Sequence, residues 1–272
     1  MERTTVALGE IAYRVEGSGR PWLLVHGFPL DHSMWRGQIE FLAERARVVA
    51  VDLPGFGATA PLNVPAATMA ALADSLAQLL DHLAIDQPVT YVGLSMGGYI
   101  GWEFYRRHEE RVGSMVMCDT RAAADTEEAK RGREETARRV LQEGSDALVE
   151  GMLPRLFAER TREEQAEIVE QTAAVMRRTS PATIAAALRG MAQRSDMSGL
   201  LKEITVPTLL LGGSEDRLTP PDEMARIAAG LPAGTWCEIA HAGHMAPLEQ
   251  PAEVNRRLEA WWSAVDGTGA GK

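Results

Sequence analysis

The sequence predicts an α/β domain: a mostly parallel sheet flanked by helices, with a helical cap inserted late in the chain. Three observations predict it. Short β-rich runs alternate with long helical patterns, the order expected of strands joined by crossover helices. Several of the runs are apolar throughout, among them Trp22-Leu23-Leu24-Val25 and Val48-Val49-Ala50-Val51, as strands buried on both faces are. From about Arg121 to Lys202 the alternation stops and only helical patterns rich in Ala, Glu and Arg appear. A crossover needs about a dozen residues, so this stretch reads as an insertion.

In chain order, Val6–Leu8 and Ile11–Val15 read as an opening hairpin. The two apolar runs follow as buried strands, then Val89–Val92, Ser114–Met117 and Thr208–Leu211, with Thr235–Ile239 as the last. Met69–Leu83 has helical spacing, with Leu72, Leu76, Leu79, Leu80 and Leu83 on one side. Within the insertion, Thr161-Arg162-Glu163-Glu164 fits a capping box, and Ser180-Pro181 fits an N-cap followed by proline at N1. The final helix is expected to start at Pro251 and run to about Val265. The expected division is a core of residues 1–120 and 203–266, a cap of 121–202, and a flexible Gly-rich tail, 267–272.

The chain has 272 residues, 45% hydrophobic and 24% charged, the profile of a soluble globular protein. At this size roughly 75% of the unfolded surface is buried, so no metal or disulfide staple is needed. The net charge of −10, without a basic run, argues against nucleic-acid partners. It also disfavours anionic substrates at long range, an effect that salt screens beyond about 8–10 Å. Cys118 and Cys237 are the only cysteines, too few for a disulfide framework or a cysteine zinc site. The N-terminus lacks an apolar signal region, and no apolar run reaches the 18 or so residues of a membrane span. The expectation is a cytoplasmic enzyme with no membrane partner; no feature specifies an oligomeric state.

Gly93-Leu94-Ser95-Met96-Gly97-Gly98 follows a predicted strand and opens a helical pattern, the setting that G-x-S-x-G requires. A serine on so sharp a turn needs neighbours without side chains two residues to either side. Its hydroxyl then stands at a helix N-terminus, where backbone N–H groups and the helix dipole favour a developing oxyanion. A serine hydroxyl is a weak nucleophile and needs a base held by a third group.

Of six histidines, His82 falls on a polar helix face and His108 near a helix C-terminus. His244, in the loop Ala242-Gly243-His244-Met245 after the last strand, is the candidate base, with His241 as its rival. The orienting acid should end a strand between serine and histidine. Asp216, in Gly213-Ser214-Glu215-Asp216, does so. Asp119, ending an earlier strand, is the alternative, or else a turn residue.

The set Ser95, Asp216 and His244, with His26-Gly27-Phe28-Pro29 and Asp52-Leu53-Pro54-Gly55-Phe56-Gly57, resembles the α/β-hydrolase superfamily over nearly the whole chain. The resemblance implies an eight-stranded sheet with the cap after the sixth strand. It implies an oxyanion hole from the backbone N–H groups of Phe28 and Met96, with His26 bracing its loop. Pro29 has no N–H and cannot serve. Haloalkane dehalogenases and epoxide hydrolases are similar but carry aspartate where Ser95 stands, which disfavours both. The segments Gly27–Trp35 and Asp119-Thr120-Arg121 resemble capped bacterial serine carboxylesterases and enol-lactonases.

The expected activity is therefore hydrolysis of a small or medium ester through an acyl-enzyme on Ser95, with no metal or organic cofactor. The rivals are a lactonase, a carbon–carbon bond hydrolase using the same residues, and a non-catalytic small-molecule receptor. From the cap, Leu141, Leu148, Met152, Leu153, Leu156 and Phe157 are candidates to line the substrate pocket, at least half of them expected to serve as packing instead. Trp35, Trp102 and Tyr99 read as core.

Overall fold

The computed structural model describes residues 1–269, the side chains of 266–269 apart. Eight strands form one sheet: β1 (Glu2–Val6), β2 (Gly9–Glu16), β3 (Pro21–Val25), β4 (Arg47–Asp52), β5 (Val89–Leu94), β6 (Val112–Cys118), β7 (Thr208–Gly213) and β8 (Gly234–Ile239). Their order is β1-β2-β4-β3-β5-β6-β7-β8. Only β2 runs against its neighbours; β3 to β8 pair in parallel. Neighbouring side chains on a strand point to opposite faces, which divides the apolar core in two. Leu23, Val25 and Tyr91 pack on one side and Trp22, Leu24 and Val92 on the other.

The first face is covered by α2 (Met69–His82), α3 (Met96–Arg107) and α9 (Pro221–Gly230). The second is covered by α1 (Arg36–Ala43), the short α10 (Ala246–Glu249) and α11 (Pro251–Gly269). Thr68 caps α2 by accepting from the Ala71 amide, and α11 starts at Pro251 as its fixed φ favours. Trp262 packs edge-on against Trp22, with ring centroids 5.1 Å apart.

Between β6 and β7 come α4 (Glu127–Glu143), α5 (Asp146–Leu156), α6 (Glu159–Glu164), α7 (Ala166–Arg178) and α8 (Pro181–Ala192). They form the helical cap after the sixth strand. The cap joins both halves of the core: Val140 and Ile184 extend the first, Val149 and Met176 the second. Ser180 caps α8 by accepting from the Thr183 amide, with Pro181 at N1. No helix among the described residues is long and apolar enough to cross a membrane.

Three local expectations change. Ala7 and Leu8 form the hairpin turn, so β1 ends at Val6 and starts at Glu2. Thr161 does not cap a helix; it lies inside α6, which begins two residues earlier, and its hydroxyl bonds Glu249 instead of a local amide. The last helix runs to Gly269, so residues 267–269 of the expected tail are helical, while 270–272 lie outside the described residues.

Candidate active site

Ser95 sits between β5 and α3 with φ 54° and ψ −110°. Positive φ in a residue with a side chain costs on the order of 1–3 kcal/mol, and the surroundings hold it there. The Ser95 amide donates to the Cys118 carbonyl at 2.9 Å, and its own carbonyl accepts from the Thr120 hydroxyl at 2.8 Å. The glycines follow from contact: a Cβ on Gly93 would lie 2.5 Å from the Gly97 carbonyl oxygen, and one on Gly97 would collide with the Val25 carbonyl oxygen. Tyr91 reaches beneath the turn and donates to the Gly97 carbonyl at 2.7 Å.

His244 is buried, and its Nδ1 lies 2.7 Å from Asp216 Oδ2. A carboxylate oxygen only accepts, so Nδ1 carries a proton, and in the neutral tautomer this leaves Nε2 with its lone pair. The other Asp216 oxygen, Oδ1, accepts from the Leu218 and Thr219 amides at 2.7 and 3.0 Å. His241 is exposed, in a turn with φ 58°, and does not line the cavity described below. Asp119 lies in a bend just after β6 with φ 45°, in keeping with the turn reading. Its carboxyl is fully buried, Oδ1 accepts from the Gly213 amide at 2.9 Å, and Oδ2 has no such partner. Burial, with the charge of Asp216 beside it, pushes the Asp119 carboxyl well above the usual carboxylate range. It sits against the Asp216–His244 pair, the three side chains bringing polar atoms within 4.8 Å of one another.

Glu249, at the end of α10, was not foreseen. It is buried, and Oε1 accepts from the amides of Gly243 (2.8 Å) and Met245 (3.3 Å), the two residues flanking His244. Oε2 accepts from the Ala158 amide (2.9 Å) and the Thr161 hydroxyl (2.6 Å) of the cap. Burial raises its carboxyl above the ordinary value, and these four bonds oppose that. The only local signal was a glutamate five residues beyond the candidate base.

The loop after β3 carries Phe28, whose peptide to Pro29 is cis. The amides of Phe28 and Met96 find no acceptor among the described residues; Met96 opens α3, where no intrahelical acceptor exists. His26 is fully buried, and burial lowers its pKa. Its Nε2 accepts from the Leu53 amide at 3.1 Å while Nδ1 contacts the Gly27 carbonyl at 2.9 Å. The ring is therefore neutral and both nitrogens are engaged. Asp52 holds the same loop from the next strand, accepting from the His32 amide, His32 Nδ1 and the Ala58 amide at 2.7–2.8 Å.

Ser95, His244 and Phe28 face one cavity of about 490 Å³ beneath the cap. Leu148, Met152 and Leu156 line it, with Leu188 and Met191 from α8. The other cap candidates do not: Leu141 is exposed, and Leu153 and Phe157 pack into the second core. Trp35, Trp102 and Tyr99 are all core, and Tyr99 also lines the cavity.

Known proteins share this fold. A thermophilic esterase from Thermogutta terrifontis, solved with malate bound, superposes with a TM-score of 0.94 and 40% identity, covering 97% of this chain and 99% of that one. The enol-lactonase of Burkholderia xenovorans gives 0.88 and 25%, covering 96% and 100%. A 3-oxoadipate enol-lactonase from Acinetobacter baylyi is 28% identical over 228 residues, 84% of this chain and 83% of its own. Residues 21–251 match the alpha/beta hydrolase fold family. With the strand order, the strained serine after β5 and the helices after β6, that match shows that this chain is a hydrolase belonging to the alpha/beta hydrolase fold family.

Proposed function

We propose that the protein is a carboxylic-ester hydrolase working through an acyl-enzyme on Ser95. One observation carries the reading: the buried His244–Asp216 pair, with its Nε2 lone pair free, opens onto the same cavity as the strained serine. Ser95 Oγ attacks the ester carbonyl carbon while its proton passes to His244 Nε2. Asp216 holds the ring by its Nδ1–H and stabilises the imidazolium. The Phe28 and Met96 N–H groups donate to the tetrahedral oxyanion, each worth about 2.7–4 kcal/mol. Collapse breaks the bond to the alcohol oxygen, which takes the proton from Nε2. Water then repeats the sequence on the acyl-enzyme, releasing the acid and restoring Ser95.

The enol-lactonase relatives favour a second reading, in which the same residues open a lactone ring and the alcohol formed stays part of the product. Hydrolysis of p-nitrophenyl acetate, butyrate and octanoate by wild type and Ser95→Ala tests the proposal. Saturable turnover is expected in wild type and a fall of about 10⁴-fold or more in the variant. Equal turnover by both would overturn it. Turnover of lactones alone would select the second reading.

A further inference from the structure

The chain carries a net charge of −10, yet its cavity is cationic. Arg121, Arg133 and Arg155 line it, and Asp125 is the one carboxylate among the described lining residues. Two of the arginines are engaged. Arg133 pairs with Asp125 at 2.5 Å, and Arg121 donates to the Leu218 carbonyl at 2.6 Å and lies 3.3 Å from Glu223. Asp125 is taken twice over, since Arg194 also pairs with it at 2.7 Å. Burial pushes the Asp125 carboxyl up, but the two arginines outweigh that and hold it below its ordinary value. Its charge is thus spent before Arg155 is reached.

Arg155 has no hydrogen bond, ion pair or ring contact among the described residues. Its side chain is exposed where it lines the cavity, but its backbone is tied down. It stands next to the end of α5, where the Leu156 carbonyl accepts from the Met245 amide at 3.2 Å and the Ala158 amide is held by Glu249. The backbone that carries it is therefore fixed to the His244 loop. An unpaired guanidinium beside apolar Met152 and Leu156 matches a ligand with a short hydrocarbon part ending in a carboxylate.

We infer that the substrate is an ester or lactone bearing a free carboxylate, and that Arg155 receives that carboxylate. The inference rests on the serine-hydrolase reading above. It reverses, inside the cavity, what the overall charge suggests for anions at a distance.

Matched substrates followed in a pH-stat test it. Monomethyl succinate, glutarate and adipate are compared with methyl butanoate, pentanoate and hexanoate, which place the carboxylate in the acyl part. The ester of butyric acid with 4-hydroxybutanoate is compared with butyl butyrate, which places it in the alcohol. Wild type should favour the charged member of at least one pair by about tenfold in kcat/KM. Arg155→Gln should remove that preference through KM while the neutral ester changes less than about twofold, and Arg155→Lys should restore part of it.

The neutral esters also serve as the folding control. No preference in any pair, or an equal loss on charged and neutral esters in Arg155→Gln, overturns the inference while leaving the serine hydrolase standing. Turnover of no substrate above Ser95→Ala would instead remove the reading beneath it.

Discussion

On the sheet side of the cavity, the groups that hold the candidate base are saturated with partners. Asp216 binds His244 and two amides, and Glu249 binds the amides on either side of that histidine. On the cap side, Arg155 stands on an equally fixed backbone with nothing bound to its guanidinium. The two walls answer different demands. Proton transfer needs a donor and acceptor held in one geometry before substrate arrives. Recognition needs a group whose best partner is the ligand, and a side chain already satisfied within the protein offers little to one.

The sharpest way to break the sheet-side wall is Asp216→Asn, which is nearly isosteric but offers the ring the wrong partner. A fall in kcat of about 10⁴-fold is expected on neutral esters, with little change in fold by circular dichroism. Asp119→Asn should be mild by comparison, since Asp119 bonds the Gly213 amide and not the ring. Equal losses in the two variants would mean that Asp119 matters to the ring as much as Asp216 does.

Glu249→Ala is the next largest, because it acts on both walls together. It leaves buried amides at Ala158 and Gly243 without acceptors, a cost of about 3–5 kcal/mol, read by thermal or urea unfolding. Turnover should fall as well, because the His244 loop loses its clasp. A stability loss with kcat intact would show that the loop holds its place through Asp216 alone.

The smallest expected effect concerns the loop that carries Phe28, where His32 and Asp52 meet. The bond to Asp52 raises the His32 pKa above its ordinary 6.5. A raised histidine contributes stability that is fully present below 6.5 and is lost as pH rises through the folded value. Burial pushes Asp52 up, but its bonds to His32 and the loop amides bring it below its ordinary 3.8. Its share is present above 3.8 and is lost as pH falls through the folded value. The gap in melting temperature between wild type and His32→Asn should therefore be widest between pH 3.8 and 6.5 and narrow as pH rises through the folded His32 value. Its size should be a few degrees, from roughly 1–2 kcal/mol. A gap that does not change with pH would mean that the pair contributes through packing only.

The same contrast explains what was legible in the sequence. The elbow is a local steric requirement, so Gly93, Ser95 and Gly97 announce it within five positions, and the strand ends place Asp216 and His244 by order alone. Glu249 and Arg155 gain their roles across long separations: Glu249 meets the Ala158 amide 91 residues away, which no window of sequence reveals. Thr161 shows the cost of local reading. Its spacing to Glu164 fits a capping box, but a stronger acceptor from α10 was within reach of its hydroxyl. The overall charge of −10 is silent about the cavity for the same reason, because a sum over the surface does not say which few charges meet there.

Glu249 also sets where this protein can be cut and recombined. The end of β6 at Cys118 and the start of β7 at Thr208 look like natural junctions for exchanging the cap with that of a relative, since they leave the sheet untouched. A graft made there would strand the carboxylate, which depends on an amide and a hydroxyl of the donor segment to hold the base upright. The portable unit is thus smaller than the insertion: residues 156–161 stay with the His244 loop, and α8 stays with the sheet half, because Thr183 accepts from the Leu62 amide and the Ala186 carbonyl from the Ala67 amide.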